Sequence, residues 1–89
     1  MVTKEIKKAI DEVLAARIDK SNYGMFSTKR VSFSAHNMLA KNCIKITSEL
    51  CTTDKVLQGE NVIANITYRY AAHKRNGMYK MLKPQVVYL

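Results

Sequence analysis

The sequence is short of the residues that make loose or membrane-spanning chains. One proline and three glycines in 89 residues leave no room for a low-complexity linker. The length suits one domain, residues 1–89. No apolar run approaches the ~20 residues a spanning helix needs, so a membrane partner is not expected. The start, MVTKEIKKAIDEVL, carries acids and no apolar h-region, unlike a secretory signal. The expected compartment is cytoplasmic. Cys43 and Cys51 are then expected to stay reduced, and the sequon Asn65-Ile66-Thr67 to stay unmodified.

Catalytic signatures are also missing. There are two histidines, His36 and His73, and no Gly-x-Ser-x-Gly, phosphate-binding loop or His-Glu-x-x-His. A nucleolytic site on His36 or His73 with Lys or Tyr is conceivable, but no spacing favours it, and the chain reads as a non-enzyme. His36, Cys43, Cys51 and His73 are zinc-ligand types in no finger spacing. No metal and no cofactor is expected, and Cys43 and Cys51 read as structural thiols.

Acidic residues are scarce. Fifteen Lys and Arg stand against seven Asp and Glu, a net +8. Such a balance attracts phosphate chains; its plainer use is solubility. The distribution favours the first use. Residues 1–20 mix five basic with four acidic side chains. From Lys20 to Ser48 there is no acid, with Lys29, Arg30, Lys41 and Lys45 present. From Asn61 to the end there is again no acid, and Arg69, Lys74, Arg75, Lys80 and Lys83 are there. Solubilising surfaces usually intersperse both signs.

Hydrophobic spacing predicts the elements. Ile6, Ile10, Val13, Leu14 and Ile18 recur every three or four residues, a helix over 3–18 with Thr3 as its cap. Ser21 to Gly24 reads as a turn, and Met25-Phe26 as the start of a short strand. Val31 and Phe33 alternate with Ser32 and Ser34, a half-buried strand. Residues 34–51 read as a second helix capped by Ser34, with Met38, Leu39, Cys43, Ile46 and Leu50 as its apolar stripe. Ile44 and Ile46 offer a rival strand for its second half. Thr52 to Asp54 opens a short turn or helix ending by Gly59. Residues 62–72 alternate with period two. Asn76-Gly77 predicts a hairpin turn, with Met78 to Leu82 returning and Gln85 to Leu89 as a last edge strand after Pro84.

The sum is α+β: two helices packed on a small antiparallel sheet with a C-terminal β-hairpin. A winged helix-turn-helix shares this order, although residues 53–61 make a poor recognition helix. A core this small is marginal, so a homodimer or larger assembly is expected, joined through the Val86–Leu89 edge.

The candidate RNA-binding residues follow from the hairpin and from the first acid-free stretch. They are Arg69, Lys74, Arg75, Lys80, Lys83, Lys29 and Arg30 for phosphates, with Tyr68 and Tyr79 for stacking on unpaired bases. Tyr68 and Tyr70 have a second reading, as core aromatics of an amphipathic strand. RNA is preferred to DNA because no DNA recognition helix is evident while a basic, tyrosine-bearing hairpin suits single strands.

In size, basic charge, free cysteines, lack of catalytic motif and general layout, the chain resembles the toxin-inhibitory factor A family of T4-like phages. The resemblance covers the whole chain but carries no motif and transfers no residue. It implies a counter-defence inhibitor that binds RNA together with a host endoribonuclease toxin, ToxN. The competing expectations are a winged-helix DNA-binding regulator and an interaction module whose basic face docks an acidic protein.

Overall fold

The computed structural model describes residues 2–27, 29–50, 52–72 and 79–89. Helix α1 spans Lys4–Tyr23, followed by a 3-10 turn Gly24–Phe26, helix α2 Phe33–Lys41, and strands β1 Ile44–Leu50, β2 Thr53–Gln58, β3 Asn61–Thr67, β4 Tyr70–Ala72, β5 Tyr79–Met81 and β6 Gln85–Tyr88. The arrangement is α+β. Four antiparallel strands form a sheet in the order β1-β2-β3-β6, and β4 and β5 pair as a separate antiparallel ribbon. No helix among the described residues is long and apolar enough to cross a membrane.

α1 starts where Thr3 accepts the Ile6 amide on its hydroxyl at 3.2 Å, satisfying one of the helix's orphan donors. Glu5 in the first turn and Lys20 in the last complement the helix dipole. The helix runs past the expected end to Tyr23, where Gly24 (φ 59°) closes it with its N–H on the Lys20 carbonyl. Ser21-Asn22 has turn composition because short polar side chains compete for helix backbone. Here the Asn22 amide is engaged elsewhere, by the backbone of Met81, and the helix continues.

Three further expectations fail locally. Met25-Phe26 forms the 3-10 turn instead of a strand, and Val31–Ser34 is no strand either. Ser32 caps α2, accepting the Ala35 amide at 3.1 Å, and donates its hydroxyl to Glu12 of α1 at 2.9 Å. The cap is therefore Ser32, not Ser34. Four residues of alternation were too few to separate a strand from a Ser-capped helix start.

The second half of the expected 34–51 helix is β1. Ile44, Ile46 and Thr47 are β-branched and favour the pleated strand, and α2 ends at Lys41 with Asn42 as C-cap. Cys43 then takes φ 56°, the left-handed position after a helix that glycine usually holds. It is exposed, which corrects its expected place as a buried thiol. Its carbonyl accepts the Gly59 amide at 3.0 Å, tying the α2–β1 turn to the β2–β3 turn. Cys51 lies outside the described residues. The span 53–58, expected as turn or helix, is β2. It returns through Gly59-Glu60, with Gln58 opposite Asn61. Gly59 at φ 63° fits the first position of a type II′ hairpin turn.

Strand character over 62–72 holds, with a break at Tyr68-Arg69 where the chain leaves the main sheet for the ribbon. The expected turn at Asn76-Gly77 lies outside the described residues, but the strands that flank it pair, with Tyr70 opposite Met81 and Ala72 opposite Tyr79. Gln85–Tyr88 is the expected edge strand, on β3.

The core lies between α1 and one face of the sheet. Ile6, Ile10 and Leu14 of α1 meet Val56 of β2 and Ala64 and Ile66 of β3. In register these sheet residues form cross-strand rows: Ile46–Val56–Ala64–Tyr88, and Ser48–Asp54–Ile66–Val86. The outer face is polar, its central row being Thr47–Lys55–Asn65–Val87. Met38 and Leu39 bring α2 against the same core.

Cys43 offers a direct check of the backbone. Its side chain is exposed, so Cys43→Gly loses little packing and relieves the left-handed strain. A gain of about 1 kcal/mol is expected, read as a higher urea midpoint at unchanged slope. A lower midpoint would contradict the positive φ.

Candidate nucleic-acid interface

The surface is organised by α1's last turns. Asp19 receives the Ser27 hydroxyl and the Lys29 backbone amide at 3.2 Å, which holds the segment after the 3-10 turn against the helix. Arg30 donates to the Ser27 and Lys29 carbonyls at 3.1 and 3.2 Å and stiffens that segment. One turn further along α1, Asn22 clamps the ribbon: its amide donates to the Met81 carbonyl at 3.0 Å and accepts the Met81 N–H at 2.9 Å. The side chain thus behaves as an extra strand partner. Leu82 N–H on the Arg69 carbonyl at 2.8 Å lengthens the ribbon by one rung.

These tethers bring the two acid-free stretches together. Lys29 from the first and Lys80 and Lys83 from the second line one groove beside Ile18, Asp19 and Asn22. Lys29 also lines a cleft of about 620 Å³ between α1, the 3-10 turn and the start of α2. Its other polar lining includes Arg17, Lys20, Arg30 and His36, with no acid. That size falls in the ~300–1,000 Å³ range of small-molecule sites. Lys29 is shared by groove and cleft, so its ammonium contributes to both.

The remaining expected residues are placed differently. Arg69 is exposed at the β3–β4 link and lines neither the groove nor the cleft. Lys74 and Arg75 lie outside the described residues, as does the Tyr79 side chain. Tyr68 is half-buried, packs against the core and donates its hydroxyl to Asp54 at 2.6 Å, so it takes the packed role of the two open to it. Tyr70 is exposed.

Asp54 is the one buried charged residue among those described, 6% exposed. The same oxygen that takes Tyr68 takes Arg17 at 2.8 Å, and Arg17 also donates to the Tyr68 hydroxyl at 2.8 Å. Burial, and next the bond to Asp54, push the Tyr68 hydroxyl above its usual value of 10.0. Burial, and next the Asp11 charge, do the same for Tyr88, whose ring lies 4.7 Å below the Lys7 ammonium.

Sequence reasoning missed Arg17, Lys20, Phe26 and Phe33. Arg17 and Lys20 sit three apart and share a helix face. Extending the helix to Tyr23 would have moved them from the mixed-sign count of residues 1–20 to the basic end. Phe26 and Phe33 were read as strand residues and are instead 81% and 80% exposed. No periodic signal marks them.

Other basic surfaces are weaker candidates. Lys55 on the outer sheet face is paired to Glu49 at 3.0 Å, and Lys8 shares its hollow with Glu5 and Glu12. Among the described residues no three His, Cys, Asp or Glu side chains are grouped to hold a metal ion. No family model, curated protein or solved structure matches the chain.

The raised tyrosines set a pH dependence. Tyr68 and Tyr88 hold their protons more tightly folded than unfolded, so the stability they confer is complete below pH 10.0. It is lost as pH rises through their higher folded values. Urea midpoints should be level near neutrality and fall above about pH 10. Tyr68→Phe should lower the plateau by about 1–2 kcal/mol and make the alkaline fall shallower. An equal fall in both proteins would contradict the Tyr68 assignment.

Proposed function

We propose that the protein is a non-enzymatic RNA-binding protein whose phosphate-binding surface is the groove and cleft around the last turns of α1. The observation that carries this reading is the convergence of Lys29, Lys80 and Lys83 on one groove, continued by Lys20 and Arg30 in the cleft, where Arg17 is already paired to Asp54. Cations gathered on one surface displace counterions from a phosphate chain, the main source of affinity in such complexes. Asp19, which shares the groove, already accepts internal hydrogen bonds. Arg69 stands apart from groove and cleft, and Lys74 and Arg75, which lie outside the described residues, are proposed for phosphate contact on their charge alone. A counter-defence role with a nuclease as second partner is the form of this function that the phage-family resemblance implies.

The test compares two charge reversals of equal net effect, Lys29→Glu/Lys83→Glu and Lys4→Glu/Lys8→Glu. All four side chains are exposed, so both folds should survive. Binding to single-stranded RNA, duplex DNA and heparin is followed by anisotropy over a salt series. The first variant should lose RNA affinity steeply and reduce the salt slope by about 0.7 per lost contact; the second should change little. Equal losses would make binding diffuse and end the localised site. Preference for the duplex would favour the winged-helix DNA regulator, and no binding by the wild type would leave docking to an acidic protein.

We also propose self-association through β6. Its outer edge meets no strand among the described residues, and Val87 and Leu89 are exposed on it, an arrangement open to strand pairing. Light scattering at tens of micromolar, in order of magnitude, should report a dimer or larger; a strict monomer overturns this.

A further inference from the structure

Three of the most exposed apolar residues either line the cationic cleft or lie near its lining residues in the chain. Met25, 90% exposed, lines it directly. Phe26, 81% exposed, lies between Met25 and Ser27, which both line it. Phe33, 80% exposed, precedes His36 of the cleft lining by one helical turn, and residues three apart share a helix face. Two phenyl rings left in water are costly for a domain with a small core. Fully burying a Phe is worth roughly 1.5–3 kcal/mol, and that stabilisation is absent here. Scattered exposed apolar residues need no explanation, but a group at the rim of a charged cleft marks a contact surface.

We propose that Phe26 and Phe33 are stacking platforms for unpaired bases, and that the cleft therefore takes single-stranded nucleic acid. The inference rests on the phosphate-binding reading of the same cleft. Charge complementarity selects the occupant: Lys20, Lys29 and Arg30 hold the backbone while its bases turn towards the rings. This division of labour is the one by which single strands are bound without sequence preference. A duplex hides its base faces in the stack and cannot use the rings. The tethers described above favour the arrangement, because Asp19 fixes Ser27 and Lys29 on either side of the segment that follows Phe26, and Glu12 fixes Ser32 next to Phe33. The rings are thus carried on anchored backbone.

The two ligands for the test are a short oligouridylate and inorganic polyphosphate, which offers a comparable phosphate chain with no bases. Phe26→Ala/Phe33→Ala, at exposed positions, should keep its fold. It should lose oligouridylate affinity by about tenfold or more while binding polyphosphate as the wild type does. The chain has no tryptophan, so Phe26→Trp introduces a single indole, which can be excited selectively over the tyrosines. Its emission should be quenched by oligouridylate and not by polyphosphate. Unchanged oligouridylate affinity in the double variant, or no quenching, overturns the stacking proposal. If Lys29→Glu/Lys83→Glu still loses both ligands, the phosphate-binding reading stands without it. If that charge variant binds both ligands normally, the underlying reading fails as well. A double variant that only loses self-association, with oligouridylate affinity intact, assigns the rings to a copy of the chain and likewise overturns the proposal.

Discussion

The contact between Arg17 and Asp54 fixes how α1 lies on the sheet. The helix presents Ile6, Ile10 and Leu14 to the core and then, at the next turn, a guanidinium. The sheet presents Val56 to those residues and, two positions earlier on the same strand, a buried carboxylate. A carboxylate in that position is costly unless it is paired and hydrogen-bonded. Arg17 and Tyr68 both meet that need on a single oxygen. Sliding α1 so that Leu14 took the place of Arg17 would set an aliphatic side chain against Asp54 and leave the charge uncompensated. The apolar contacts alone are less selective, because Ile6, Ile10 and Leu14 are similar in size. Specificity of this kind is a recurrent use of buried polar pairs. It also explains why Tyr68, at the end of β3, is held in the packing and not presented to solvent.

With α1 fixed, its last turns become a scaffold for surface elements that have little core of their own. Asp19 holds the segment after the 3-10 turn, and Asn22 holds the β4–β5 ribbon. Both tethers hydrogen-bond backbone groups, so they position Lys29 and Lys80 with little dependence on neighbouring side chains. Asp19 remains a negative charge within the groove, but Lys29, Lys80 and Lys83 outnumber it there. The groove's positive character is therefore a consequence of where one helix ends.

Much of the fold was legible in the sequence, and the failures have physical reasons. The α1 stripe, the Thr3 cap, the long alternating segment after Asn61 and the final edge strand each carry a strong local signal, and each is present. The 34–51 segment misled because Met38, Leu39, Cys43, Ile46 and Leu50 match a helical period by coincidence. The β-branched Ile44, Ile46 and Thr47 decided the second half. β2, with the sequence TDKVLQ, contains too few apolar residues to reveal a strand. It is one because β1 and β3 pair on both sides of it. The extension of α1 depended on Asn22 finding Met81 fifty-nine positions away, which no window could reveal. The basic stretches were visible as charge without place, and only the tethers show that Lys29 meets Lys80 and Lys83 while Arg69 stands apart.

The location of the cationic surface has a cost that the architecture must meet. Lysines gathered on one groove repel each other over the roughly 8 Å screening length of physiological salt. Among the described residues, the elements that carry them contribute none of the buried aliphatic side chains of the core. The groove is therefore held by a few hydrogen bonds, each worth about 1 kcal/mol net, against a standing repulsion. On the proposed function, a polyanion bound between the lysines would turn that repulsion into attraction and stabilise the native arrangement by mass action. The interior needs no such help, because Asp54 is neutralised within it. A chain with a small core can in this way keep its strong charge asymmetry. The one buried charge among the described residues is compensated by Arg17 and Tyr68, and the excess of positive charge stays on the surface elements.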